Sequence, residues 1–67
     1  MNDEPYYLCL RLAEAIGKRS KGQREAARRL GIAERTMRYY CAGREMPEEL
    51  RQQLKAIVAE EEKKCRN

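Results

Sequence analysis

Residues 23–43, QREAARRLGIAERTMRYYCAG, decide how this chain folds. Ala26, Ala27 and Leu30 recur at one-turn spacing, so they share one face of a helix. Gly31 follows, the residue type best able to take the left-handed conformation at which a helix stops and turns. Ile32 is an apolar plug, and a second helical pattern begins, with Met37, Tyr40 and Cys41 three and four residues apart. Gly43 can close that helix as Gly31 closes the first. Two helices joined by a tight glycine turn form a helix-turn-helix. The small Ala26–Ala27 pair suits a close crossing, which a bulky side chain at 27 would prevent.

The face left over on the second helix carries Glu34, Arg35, Arg38 and Tyr39. Positions 35, 38 and 39 project together. An arginine at the start of an exposed helix can make a two-pronged hydrogen bond to guanine in the major groove. Arg35 and Arg38 are therefore candidate base contacts, with solvated surface as the plainer alternative. Thr36 has a short side chain near the helix start, suited to a phosphate or a base edge. Tyr39 can stack on a sugar, bond a phosphate, meet a thymine methyl or pack against the next helix. Glu34 can accept from a cytosine amine, or sit there because a carboxylate favours a helix N-terminus. Net charge is +4 overall. Residues 11–44 hold ten Lys or Arg against three Glu, a local +7, while residues 1–10 carry −2 and residues 45–67 carry −1. Basic charge concentrated on the motif is the footprint of a nucleic-acid surface.

Gln23, Ala27, Gly31, Ile32, Thr36, Met37, Tyr40, Gly43 and Pro47 resemble the helix-turn-helix signature of the Cro/phage-repressor (XRE-like) family. More narrowly, QREAARRLGIAERTMRYY is similar to the small anti-CRISPR-associated autorepressors of phages and mobile elements. The resemblance implies a repressor of the operon that encodes it, a backbone contact from Gln23 and a buried Tyr40. One departure is Ala33, where the family often has a serine or threonine to cap the recognition helix. TMRYY also resembles a segment of MerR-type activators. Those proteins open almost directly on the motif and follow it with a β-wing, whereas here helical patterns flank it on both sides.

Outside the motif, size and composition set limits. Sixty-seven residues make a single domain (1–67), with a core too small for a buried catalytic cavity. With no Trp or Phe, the core must be aliphatic with tyrosines at its margins. No histidine, one serine and no acidic pair in a pocket leave little for catalysis, so no enzyme and no small-molecule substrate are expected. Cys9, Cys41 and Cys65 are far apart in sequence and lack paired spacing, so neither a metal nor any other cofactor is expected. Cys9 and Cys41 read as small core residues, and Cys65 as an exposed thiol, the one considered for a redox role. No apolar run is long enough for a bilayer, and MNDEPYY does not read as a signal peptide. The expectation is a soluble cytoplasmic protein of a bacterial host cell, associated with the nucleoid.

Working outward, Pro5 suits the first position of a helix whose stripe is Leu8, Cys9, Leu12, Ala15 and Ile16, ending at Gly17. Lys18–Lys21 is a cationic connector that reads equally as a phosphate grip, with Lys21 as a backbone contact, or as a solvated loop. Gly22 occupies a cap position, with Glu25 three residues on as in a capping box. Arg24 reads as a phosphate contact, Arg28 and Arg29 as solvated. Arg44, just past the second helix, is a further backbone contact.

Pro47 suits the first position of a last helix, about 47–64, with Leu50, Leu54, Ile57 and Val58 as its stripe. That is more length than the motif needs for cover. Leu54, Ile57 and Val58 are therefore candidate dimerisation residues, Leu54 doubling as core. Together these readings predict an all-α bundle of four helices (range three to five) around a helix-turn-helix. As a homodimer it is expected to bind double-stranded DNA at an inverted repeat. The rival is a protein-binding module, an antitoxin or inhibitor whose basic face meets an acidic partner.

Overall fold

A computed structural model describes residues 3–17 and 22–65. Four α-helices run Glu4–Ile16 (α1), Gly22–Leu30 (α2), Glu34–Cys41 (α3) and Glu48–Cys65 (α4), with no strand among the described residues. The fold is thus all-helical, as expected. The Lys18–Lys21 connector and the Cys65 thiol fall outside what the structure describes.

The α2–α3 corner forms as the sequence predicts. Gly31 has φ +73°, its N–H donates to the Arg28 carbonyl at 3.3 Å, and the Ile32 N–H donates to the Ala27 carbonyl at 3.0 Å. These two bonds satisfy carbonyls that a helix end otherwise leaves open. The same pair recurs after α3, where Gly43 donates to Tyr40 at 3.2 Å and Arg44 to Tyr39 at 3.0 Å.

Both prolines sit one residue from their expected places. Helix α1 starts at Glu4, before Pro5, with the Tyr7 N–H donating to the Asp3 carbonyl. Helix α4 starts after Pro47, whose carbonyl accepts from the Arg51 N–H at 3.0 Å. A proline fits either place, because the N–H it lacks has no partner within the helix there.

Gly22 is not the flanking cap foreseen from its position. It is the first residue of α2 and is buried, and a Cβ there would stand 2.4 Å from the Cys9 carbonyl oxygen and 3.0 Å from the Ala13 Cβ. The missing side chain lets α2 start against α1. Glu25 does not complete a capping box either: its carboxylate takes hydrogen bonds from Arg28 and Arg29.

The core joins Leu8, Cys9 and Leu12 of α1 to Ala26 and Ala27 of α2, Met37 of α3, Met46 of the following turn, and Leu54 and Val58 of α4. Each fully buried large side chain (Leu12, Met37, Leu54, Val58) contributes about 1.5–3 kcal/mol. Tyr40 packs at the margin of this cluster. Helix α4 lies along α1 and also meets α2, while α3 packs on α2 and α1 and stands clear of α4.

Ion pairs give the direction of the long helices. Glu4, at the start of α1, pairs with Arg51 at 3.4 Å and Lys55 at 3.3 Å in the first half of α4, and Arg11 pairs with Glu62 at 2.7 Å further along both. Helices α1 and α4 therefore run parallel, and α2 and α3 form the crossover that a parallel pair requires. This arrangement withdraws two of the three dimerisation residues expected on α4. Leu54 and Val58 are fully buried in the chain's own core, and Ile57 packs against it. The extra length of α4 covers α1.

Candidate nucleic-acid interface

Helix α3 is anchored from behind and open in front. Met37 is fully buried, and Tyr40 and Cys41 are half-buried against the core. Arg35 and Arg38 are exposed, and Tyr39 is 50% exposed. Because α4 stands clear of α3, Tyr39 does not pack against the next helix. Instead the Arg44 guanidinium lies over its ring, 5.2 Å from the centroid. That stacking holds Arg44 beside the α3 surface.

Glu34 links the two helices of the motif. One carboxylate oxygen lies 3.4 Å from Nε of Arg24 on α2, the other 3.4 Å from Nη2 of Arg38 one turn along α3. Arg24 and Arg38 thus share one carboxylate, while Arg35 is exposed on the same helix and Arg44 lies over Tyr39 towards its end. Four arginines against one glutamate leave the surface strongly cationic. Arg35 is exposed and takes part in no ion pair among the described residues. The Glu34 pairs are longer than the 2.7–2.9 Å usual for charged hydrogen bonds. Exposed pairs of this kind contribute only about 0–1 kcal/mol, so a phosphate can displace them.

The remaining expected contacts divide. Thr36 is half-buried. Gln23 is also half-buried, with its amide against the Cys41 thiol, so it is turned towards the end of α3. Lys21 is among the residues not described. At the helix start, Ala33 supplies no side-chain cap, as its residue type dictates.

Other arginines of the basic segment are committed elsewhere. Arg11 donates to both oxygens of Glu62, at 3.0 and 2.7 Å. Arg28 meets Glu25 at 2.6 Å. Arg29 bridges Glu25 at 2.7 Å and Glu61 at 2.7 Å, tying α2 to α4. The Arg28 guanidinium, and then that of Arg29, holds the Glu25 carboxyl down at about 2. Arg29 likewise lowers Glu61, against the opposing effect of burial. The Glu25–Arg29 pair follows from its spacing of four, but nothing in the sequence marks Glu61 as their partner. Arg28 stays largely exposed, as the solvated reading has it, whereas Arg29, also exposed, ties α2 to α4 as well.

No protein-family model, no curated protein and no solved structure matches this chain. No helix among the described residues is long and apolar enough to cross a membrane.

Proposed function

We propose that this protein is a sequence-specific double-stranded DNA-binding repressor. It represses the phage or mobile-element operon that encodes it, as the anti-CRISPR-associated type does, by occupying a promoter that polymerase also needs. The observation that carries this reading is the outer surface of α3, where Arg24, Arg35, Arg38 and Arg44 are gathered while Met37 fixes the helix from behind. An α-helix about 10–12 Å across with its side chains fits the major groove, which is about 12 Å wide. Arg35 and Arg38 then read bases, and Arg24 and Arg44 hold phosphates. With Thr36 half-buried and Glu34 engaged by two arginines, both play smaller parts.

Tight binding of an inverted repeat calls for two copies. With Leu54 and Val58 inside the core, we place the second copy on α1, where Tyr6, Tyr7 and Leu10 are 44%, 58% and 41% exposed. Sedimentation should give a dimer that Leu10→Arg turns into a monomer. An unchanged dimer removes α1 as its seat.

Footprinting on the DNA upstream of the reading frame, with duplex titration followed by amide resonances, tests the central reading. The resonances of residues 34–39 should shift at low ionic strength. Six to ten phosphate contacts should lose about three to five decades of affinity between 50 and 200 mM salt. Unmoved resonances and no gel shift transfer the arginine surface to an acidic protein partner.

A further inference from the structure

Cys9 and Cys41 read from the sequence as two unrelated small core residues. In the fold their sulfurs meet, with the Sγ atoms 3.5 Å apart. Cys9 lies midway along α1, and Cys41 is the last residue of α3. Both are free thiols with different surroundings: Cys9 is buried and Cys41 only half so. We propose that Cys9 and Cys41 form a redox site, which hydrogen peroxide converts into an intramolecular disulfide tying the end of α3 to α1.

The two sulfurs suit the two steps. In the first, the Cys41 thiolate attacks one peroxide oxygen. An S–O bond forms, the O–O bond breaks, and the leaving hydroxide takes up a proton as water. Cys41 is then a sulfenic acid. In the second, the Cys9 sulfur attacks the Cys41 sulfur, the S–S bond forms, the S–O bond breaks, and the hydroxyl leaves with the Cys9 proton as a second water. Two thiols have lost two electrons and two protons, and one peroxide has become two waters.

The electrostatics agree with that order. Contact with Cys9 holds the Cys41 thiol below its ordinary range, with the Gln23 amide helping and burial opposing. Contact with Cys41, and then burial, pushes Cys9 up. The thiolate is the nucleophile towards peroxide, so the more open sulfur reacts first and the buried one resolves it.

Geometry favours closure. A disulfide needs its sulfurs about 2.05 Å apart, so this pair must approach by about 1.5 Å. Cys41 is followed directly by the Ala42–Gly43 turn, where α3 has already ended. The resulting ring runs from residue 9 to residue 41 and encloses all of α2 and α3. Crosslinking so long a loop restricts the unfolded chain, so the oxidised protein should be the more stable form.

The test is to oxidise the reduced full chain with a few equivalents of hydrogen peroxide, denature it, alkylate it and weigh it. The disulfide removes about 2 Da before alkylation and leaves one of the three cysteines alkylatable, with a proteolytic fragment joining residue 9 to residue 41. Cys65→Ser should form the same crosslink and leave no cysteine to alkylate, and Cys41→Ser should abolish the crosslink. The oxidised chain should melt at a higher temperature, and dithiothreitol should reverse the rise. Cys9→Ser risks the core, so the wild-type mass carries the decision. A gain of about 32 Da on Cys41 with Cys9 still alkylatable, crosslinks only through Cys65, or no reaction at all, would each overturn the proposal.

Discussion

Arg24 and Arg38 share one Glu34 carboxylate at 3.4 Å each, whereas Arg11 and Arg29 meet Glu62 and Glu61 on α4 at 2.7 Å. The first pair stands on an open surface with side chains about two-thirds exposed; in the second the Arg11 side chain is 53% exposed and that of Arg29 31%. One residue type thus does two jobs. Along α4, arginines clasp helices to one another. On α3, a single glutamate gathers arginines without neutralising them. Charge counted along the sequence cannot separate these groups, because it adds Arg11 and Arg29, which glutamates of α4 engage, to Arg24, Arg35 and Arg38. Arg35, with no ion pair among the described residues, marks the difference most sharply.

The largest expected effect comes from turning the comparison inward. Met37 lies two residues from Arg35 but faces the core. Met37→Ala should cost about 2–5 kcal/mol of folding stability, read by urea unfolding, and take duplex binding with it. Arg35→Ala should do the reverse. It should cost about 1–3 kcal/mol of binding at one base position while leaving the urea midpoint in place. If Arg35→Ala leaves every base preference unchanged, Arg35 does not read bases.

The parts of the molecule that sequence makes legible are those set by local rules. Gly31 and Gly43, the apolar spacing of Met37 and Tyr40, and the small Ala26–Ala27 pair each act within a few residues, and all four helices follow from such signals. The outward placing of Arg35, Arg38 and Tyr39 is legible for the same reason. What stays hidden depends on which distant elements meet. The parallel course of α1 and α4 makes Leu54 and Val58 core, though their spacing alone also fits a dimer stripe. That same course brings Glu61 to Arg29, and the close seat of Gly22 on α1 turns an apparent cap into a packing contact. Cys9 and Cys41, separated by 32 residues, meet only because α3 lies back across α1.

A smaller effect tests the clasp. Arg29→Ala removes the link between Glu25 and Glu61 and should lower stability by about 1 kcal/mol, with duplex affinity of the folded protein unchanged. A loss of affinity matching that of Arg35→Ala would erase the distinction between the two sets of arginines.

The smallest effect is pH-dependent, and its direction follows from the Glu25 carboxyl. Arg28 and Arg29 hold it at about 2, below its ordinary value of 4.5, so it keeps its charge longer in the folded chain than in the unfolded one. Its contribution is therefore complete above pH 4.5 and fades as pH falls towards 2. Solvent screens a pair this exposed, which limits the contribution to about 0.5 kcal/mol. Glu61, lowered by the same Arg29, acts in the same direction, so wild type alone cannot apportion the loss. Thermal midpoints from pH 6 to 2.5 at low salt should fall less steeply in Glu25→Gln than in wild type. Identical slopes would mean that the Arg28–Glu25–Arg29 cluster adds nothing to folding. The clasp between α2 and α4 would then rest on Glu61 alone.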